Sequence, residues 1–231
     1  MIFKIIRKFN RVFCGLKKLL CLGKLKKVSI QKVVYKSPRT IFNIGSYYDG
    51  KNFISIGREY FKDVRYLGPA DFYIAISKNA LNLNFQKIDT SLLKKNIKNF
   101  KRLEDGRPFL LNGKIHCICA CICVDLKNEI SSKQIIIVIN ISKVESFKVF
   151  NTKNRFEKNW SLYDKNNLSF VYSLKPFQKK SFANLTSQEN CISFNNADFS
   201  FRNNSNFIDI DSYKFSIGHQ IIDLGIYYAY L

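Results

Sequence analysis

Residues 28–231 read as an all-β domain, and residues 1–27 as a basic amphipathic helix in front of it. Three observations carry this. From Ile41 onward apolar residues alternate with polar ones at period two, not at three and four. Asp49-Gly50 and Asn112-Gly113 are hairpin-turn pairs with such runs on both sides. No amphipathic helical pattern separates the runs, so strands must pair with their sequence neighbours. Short strands with polar turns build a sandwich, a barrel or a propeller.

In residues 2–22 Ile2, Ile5, Ile6, Phe9, Val12, Phe13, Leu16, Leu19 and Leu20 recur at three and four, opposite Lys4, Arg7, Lys8, Arg11, Lys17 and Lys18. Such a helix suits an anionic membrane surface, or packs on its own domain with its charges in water. The spacing then predicts strands over residues 41–44 and 53–56 around the Asp-Gly turn, and over 72–77 and 81–88 around Lys78-Asn79. Residues 92–101 read as a short helix or a solvated loop. Strands follow at 109–111 and 115–124 around Asn112-Gly113, then at 134–141, 147–151 and 168–174. The last ones are 192–194, 207–210, 213–217 and 224–230.

The chain has 231 residues, 46% of them hydrophobic and 15% aromatic, enough apolar content for a core and too much for a disordered tail. Its formal charge is +21, and more than half of that precedes Asp49, the first acidic residue. A field of this sign favours anionic partners such as lipid headgroups or phosphorylated substrates. The chain carries no recognised nucleic-acid motif, so nucleic acid is not an expected partner. No stretch is apolar for the roughly 18 residues that a membrane span needs. The apolar residues at the start are interrupted by Lys and Arg, unlike a signal peptide. The expected location is cytoplasmic, peripheral on the inner face of the membrane.

Cys117, Cys119, Cys121 and Cys123 alternate along one strand and so share a face, with His116 on the other. They read as buried small apolar side chains in a reducing compartment. Without Cys-x-x-Cys spacing, no metal site and no cofactor is expected.

Three polar clusters interrupt this pattern at intervals: Arg102-Leu103-Glu104-Asp105-Gly106-Arg107, Glu157-Lys158-Asn159-Trp160-Ser161 and Gly218-His219-Gln220. The spacing of about 50 residues between the first two is that of a four-stranded blade. Carboxylates beside guanidinium groups at the start of a strand can pair structurally, or can serve as an acid/base next to an anion-binding group. A lone Trp160 is a core residue or a stacking platform for a sugar ring.

These residues resemble the β-mannoside phosphorylases and related β-mannosyltransferases, five-bladed β-propellers acting on sugars. Glu104-Asp105-Gly106-Arg107 resembles that family's Glu-Asp-Pro-Arg. Residues 156–161 and 168–176 resemble its Glu-Lys-Asn-Trp segment and the strand that ends in Pro, and residues 213–219 its strand bearing Gly-His. The matches span roughly residues 100 to 220 in the family's order. Gly106 departs from the pattern, as does Asn203-Asn204 after Arg202, where the family has Gly-Gly. The resemblance implies a β-propeller of five-bladed type, whole or incomplete. It implies inverting transfer of a mannose-like hexose between a sugar phosphate or nucleotide-sugar donor and a glycan acceptor. Asp105 would be the acid/base. Arg107, Glu104, Lys158, Asn159, Trp160, His219 and Arg58 would hold sugar or phosphate. The alternative is a non-catalytic remnant that binds glycan or membrane.

Overall fold

The computed structural model describes residues 34–59, 69–150, 155–156, 159–174, 177–182, 205–209 and 213–216. It also describes the backbone of residues 201–203, 210, 218–222 and 226–230. The helix expected over residues 2–22, the strand expected over 192–194 and Lys158 lie outside the described residues.

The elements are mostly strands, as the period-two pattern predicts. In order they are β1 (Val34–Lys36), β2 (Ile41–Tyr48), β3 (Phe53–Glu59), β4 (Phe72–Ser77), β5 (Asn82–Asn84), β6 (Gln86–Lys87), the helix α1 (Ser91–Asn96), β7 (Phe100–Leu111), β8 (Lys114–Val124), β9 (Ile130–Asn140) and β10 (Lys143–Val149). Then come β11 (Ser161–Asp164), β12 (Ser169–Leu174), β13 (Phe177–Ser181), β14 (Phe201–Asn203), β15 (Ile208–Ile210), β16 (Tyr213–Phe215), β17 (Gly218–Ile222) and β18 (Ile226–Tyr230). The two turn signals act as their residue types require. Asn112 and Gly113 both take positive φ, 50° and 73°, which lets β7 and β8 join through two residues. At the other hairpin Gly50 takes φ 97°, and the Asp49 carboxylate accepts the Lys51 and Asn52 amides at 2.8 and 2.6 Å.

The strands assemble chiefly into up-and-down sheets of near neighbours: β2-β3-β4-β6, then β7-β8-β9-β10, then β11-β12-β13. All their pairings are antiparallel. Among the described residues these sheets are open; none closes on itself and they do not complete a ring. The all-β class therefore holds, whereas the closed architecture is not seen.

The β7–β10 sheet is buried on both faces. One face carries Leu103, Cys117, Cys119, Cys121, Ile135, Ile137 and Ile139 into a core shared with Ile54, Ile56, Phe72 and Ile74 of the first sheet. The other carries Phe109, Ile118 and Ile136 into a second core with Phe150, Trp160, Leu162, Phe170 and Phe182. Double burial is why Gln134–Ile137 is a continuous buried run. The thiol ladder and the histidine take the faces that alternation assigns. His116 stacks on Phe109 at 5.4 Å, 26° between planes, and its Nδ1 lies 3.1 Å from the Lys114 carbonyl.

One boundary differs in a way that matters. The cluster at residues 102–107 was expected at the start of a strand over 109–111, but it lies in the middle of the twelve-residue β7. Its charges are tolerated there because they neutralise one another, and because two register shifts open the strand around them.

Candidate functional site

β7 pairs Glu104 with Ala120 and next pairs Arg107 with Ile118, so Asp105 and Gly106 together oppose the single Cys119. This is a bulge, and its first residue, Asp105, takes the left-handed conformation at φ 55°. β2 has its own register shift between Phe42 and Gly45, with Asn43 also left-handed at φ 55°. Asn and Asp are the side-chain-bearing residues that best accept this backbone. The two irregularities meet: Asn43 Nδ2 donates to Asp105 Oδ1. A Cβ on Gly45 would overlap the Gly106 carbonyl oxygen, and one on Gly106 would lie 2.5 Å from Phe72 Cζ and 2.8 Å from Ile56 Cγ2. Two glycines thus let one backbone lie directly on another and lock the bulges together. The same contact explains why glycine stands at 106 in place of a ring or any side chain.

Asn43 is exposed and Asp105 half-buried, so this pole opens to solvent. Behind it the polar groups are buried. Glu104, only 3% exposed, accepts from Arg102 Nε at 2.8 Å and lies 3.7 Å from Arg58 Nη1. Arg58 also stacks over the Phe42 ring at 4.2 Å. Arg107 is buried on the other side of the bulge. Its Nη1 donates to the Trp160 carbonyl at 2.8 Å and its Nη2 to Asn159 Oδ1 at 3.2 Å. Burial pushes the Arg107 pKa down, and the nearby Asp105 charge pushes it back up. The guanidinium remains a cation that values a nearby anion.

The structure therefore places three separate contacts along one stretch of β7: Arg58 with Glu104, Asn43 with Asp105, and Arg107 with Asn159 and the Trp160 carbonyl. Trp160 is a correction among them. Its indole is completely buried, 5.1 Å from the Phe150 ring and 5.7 Å from the Tyr172 ring, so it offers no free face to a sugar. Its contribution is the carbonyl that holds Arg107. The backbone of His219 lies in β17, opposite Arg202 of β14, but its side chain is outside the described residues, as is Lys158.

Sequence reading missed Asn43 and Gln134, and named Ser161 only as the last residue of the second polar cluster. Of the two it missed, only Asn43 left a trace, as an Asn two residues before a Gly in a strand. Gln134 lies on β9 opposite Ala120, which itself lies opposite Glu104. It is completely buried and both atoms of its amide lack a partner. Ser161 Oγ, next to Trp160, and Arg58 Nε are likewise buried and unpartnered.

Among the described residues no three His, Cys, Asp or Glu side chains are placed to hold a metal ion, and no helix is long and apolar enough to cross a membrane. No protein-family model matches this chain and no curated protein matches it.

Proposed function

We propose that the chain is a propeller-type carbohydrate-active enzyme that moves a mannose-like hexose between a phosphate or nucleotide donor and a glycan acceptor, with inversion. One observation carries this reading. Every buried side-chain polar atom without a partner among the described residues belongs to Arg58, Gln134 or Ser161. Arg58 lies 3.7 Å from Glu104, Ser161 follows the Trp160 whose carbonyl holds Arg107, and Gln134 lies in the cross-strand row of Glu104, two strands away. Leaving such atoms unpaired costs about 1–3 kcal/mol each. Concentrating them in one place fits a site awaiting a ligand rich in hydroxyls and anionic oxygens. The propeller reading is supported by three successive up-and-down sheets stacked face to face.

In the transfer direction an acceptor hydroxyl oxygen attacks the anomeric carbon as the bond to the donor phosphate oxygen breaks. Asp105 takes the hydroxyl proton, and the phosphate departs with the bonding electron pair. In phosphorolysis the phosphate attacks and Asp105 returns a proton to the leaving glycan oxygen. Asn43 orients the carboxylate. Arg107 and Arg58 supply charge-assisted donors to phosphate oxygens. By resemblance, Lys158 and His219 complete the phosphate cradle. Residues 1–27 would bring the enzyme to the cytoplasmic face of an anionic membrane carrying the acceptor.

Asp105→Asn is expected to abolish transfer from a mannosyl donor panel (mannose 1-phosphate, GDP-mannose), with circular dichroism and donor affinity retained. Undiminished turnover in that variant rejects the assignment. A wild-type protein that binds oligomannoside saturably but never turns over indicates the non-catalytic glycan-binding alternative.

A further inference from the structure

We infer that Gln134 is the residue that reads a sugar hydroxyl in this site. The inference rests on the sugar-phosphate reading above and deepens it. Gln134 lies on the face of the β7–β10 sheet that carries Glu104, in a cross-strand row Glu104–Ala120–Gln134. The middle member is a methyl group, the shortest side chain that still marks the face. The whole row is buried, Ala120 and Gln134 completely and Glu104 to within 3%. The next row on one side is Arg107–Ile118–Ile136 and on the other Arg102–Ile122–Ser132.

The chemistry of the unpaired atoms selects the ligand group. A primary amide offers two donors on nitrogen and an acceptor on oxygen, and in Gln134 both Nε2 and Oε1 are without a partner. The dianionic phosphate of a sugar phosphate ester has only acceptors and would leave Oε1 unpaired. A guanidinium or ammonium group has only donors and would leave Nε2 unpaired. A hydroxyl gives one proton and accepts another, so it satisfies both ends. Arg58 Nε, by contrast, is a lone donor, buried and without a partner. The site therefore divides into a pole of guanidinium groups for anionic oxygens and a pole at Gln134 for a neutral hydroxyl. A site built around a hydrogen bond to a hydroxyl discriminates strongly against analogues that lack it.

The test separates the two poles. Gln134→Met keeps the side-chain volume and removes the unpaired amide, so the variant is expected to fold with an unchanged or higher melting temperature. Its Kd for mannose 1-phosphate, by calorimetry, is expected to rise by about tenfold or more, the loss of a good hydrogen bond. Its Kd for inorganic phosphate stays within about twofold of wild type, because no hydroxyl is read there. Gln134→Glu, which keeps the shape but loses the amide donors, serves as the second variant and is expected to show the same split. Equal loss for both ligands, or no loss for either, overturns the inference and makes Gln134 a structural residue or a water-binding one. Wild-type protein that binds inorganic phosphate but not mannose 1-phosphate also overturns it while sparing the anion site. Wild-type protein that binds neither removes the site reading itself.

Discussion

The two faces of the β7–β10 sheet are made by the same four strands and resolve their burial in opposite ways. Toward the first sheet, thiols and isoleucines alternate inward and meet Ile54, Ile56, Phe72 and Ile74, with a glycine at each closest approach. The buried residues of that face are small or apolar, and Lys133, opposite Cys121, is exposed. Toward the third sheet, the far end of the face is equally apolar, built on Phe109, Ile118 and Ile136. The near end holds Arg102, Glu104, Arg107, Ser132 and Gln134. Buried groups there are charged, and some atoms have no partner. Apolar burial of the first kind stabilises the fold in proportion to area. Polar burial of the second kind opposes it unless something completes the network. The contrast separates a face that stabilises the fold by apolar burial from a face whose buried polar groups are only partly satisfied.

The largest expected effect lies on the polar face. Glu104→Ala removes the carboxylate that Arg102 and Arg58 share, in a setting where all three residues are at most 7% exposed. Stripping one partner from a buried ion pair costs about 3–5 kcal/mol, to be read from urea unfolding. An unchanged midpoint would mean that water reaches these arginines and that the faces do not differ as described. The next effect tests the seam between the faces. Gly45→Ala drives a methyl group into the Gly106 carbonyl, which is backbone and cannot rotate away. It is expected to destabilise by about 3 kcal/mol and to release Asp105 from Asn43, lowering activity together with stability.

The smallest effect concerns the open end of the thiol ladder. Cys117, Cys119 and Cys121 are buried, whereas Cys123 is half-buried. The Cys121 thiol hydrogen-bonds the Cys123 sulfur and, against the opposing effect of burial, lowers its pKa to about 7, with Lys133 helping. The same bond and burial hold the Cys121 thiol far above its usual range. Iodoacetamide is therefore expected to label Cys123 alone among these four in the native protein, at a rate rising as the pH passes about 7. Because this pKa is depressed on folding, the stability it contributes is complete above the ordinary thiol value of 9.0 and is lost as the pH falls through about 7. Peptide mapping that finds all four labelled alike before unfolding would break the picture of a sealed apolar face.

Local periodicity settled a good deal by itself. Alternation fixed the strands, their inward faces, the thiol ladder and the opposite orientation of His116, because side-chain direction in a strand depends on sequence parity alone. Asn112-Gly113 and Asp49-Gly50 fixed two hairpins, because few residues accept positive φ. Charge and order marked the 102–107 cluster as exceptional. What the chain could not reveal locally was set by contacts between distant residues. β7 runs through its charged cluster instead of starting after it, because Arg58, 46 positions before Glu104 in the chain, comes within 3.7 Å of that carboxylate. Asn43 became part of the site only when two bulges, each unremarkable in its own strand, were pressed together across a pair of glycines. Trp160 and Gln134 were both completely buried, the latter with its amide unpaired, for one reason. Which face of a doubly buried sheet is apolar and which is polar is decided by the layer that covers it, and no single strand carries that information.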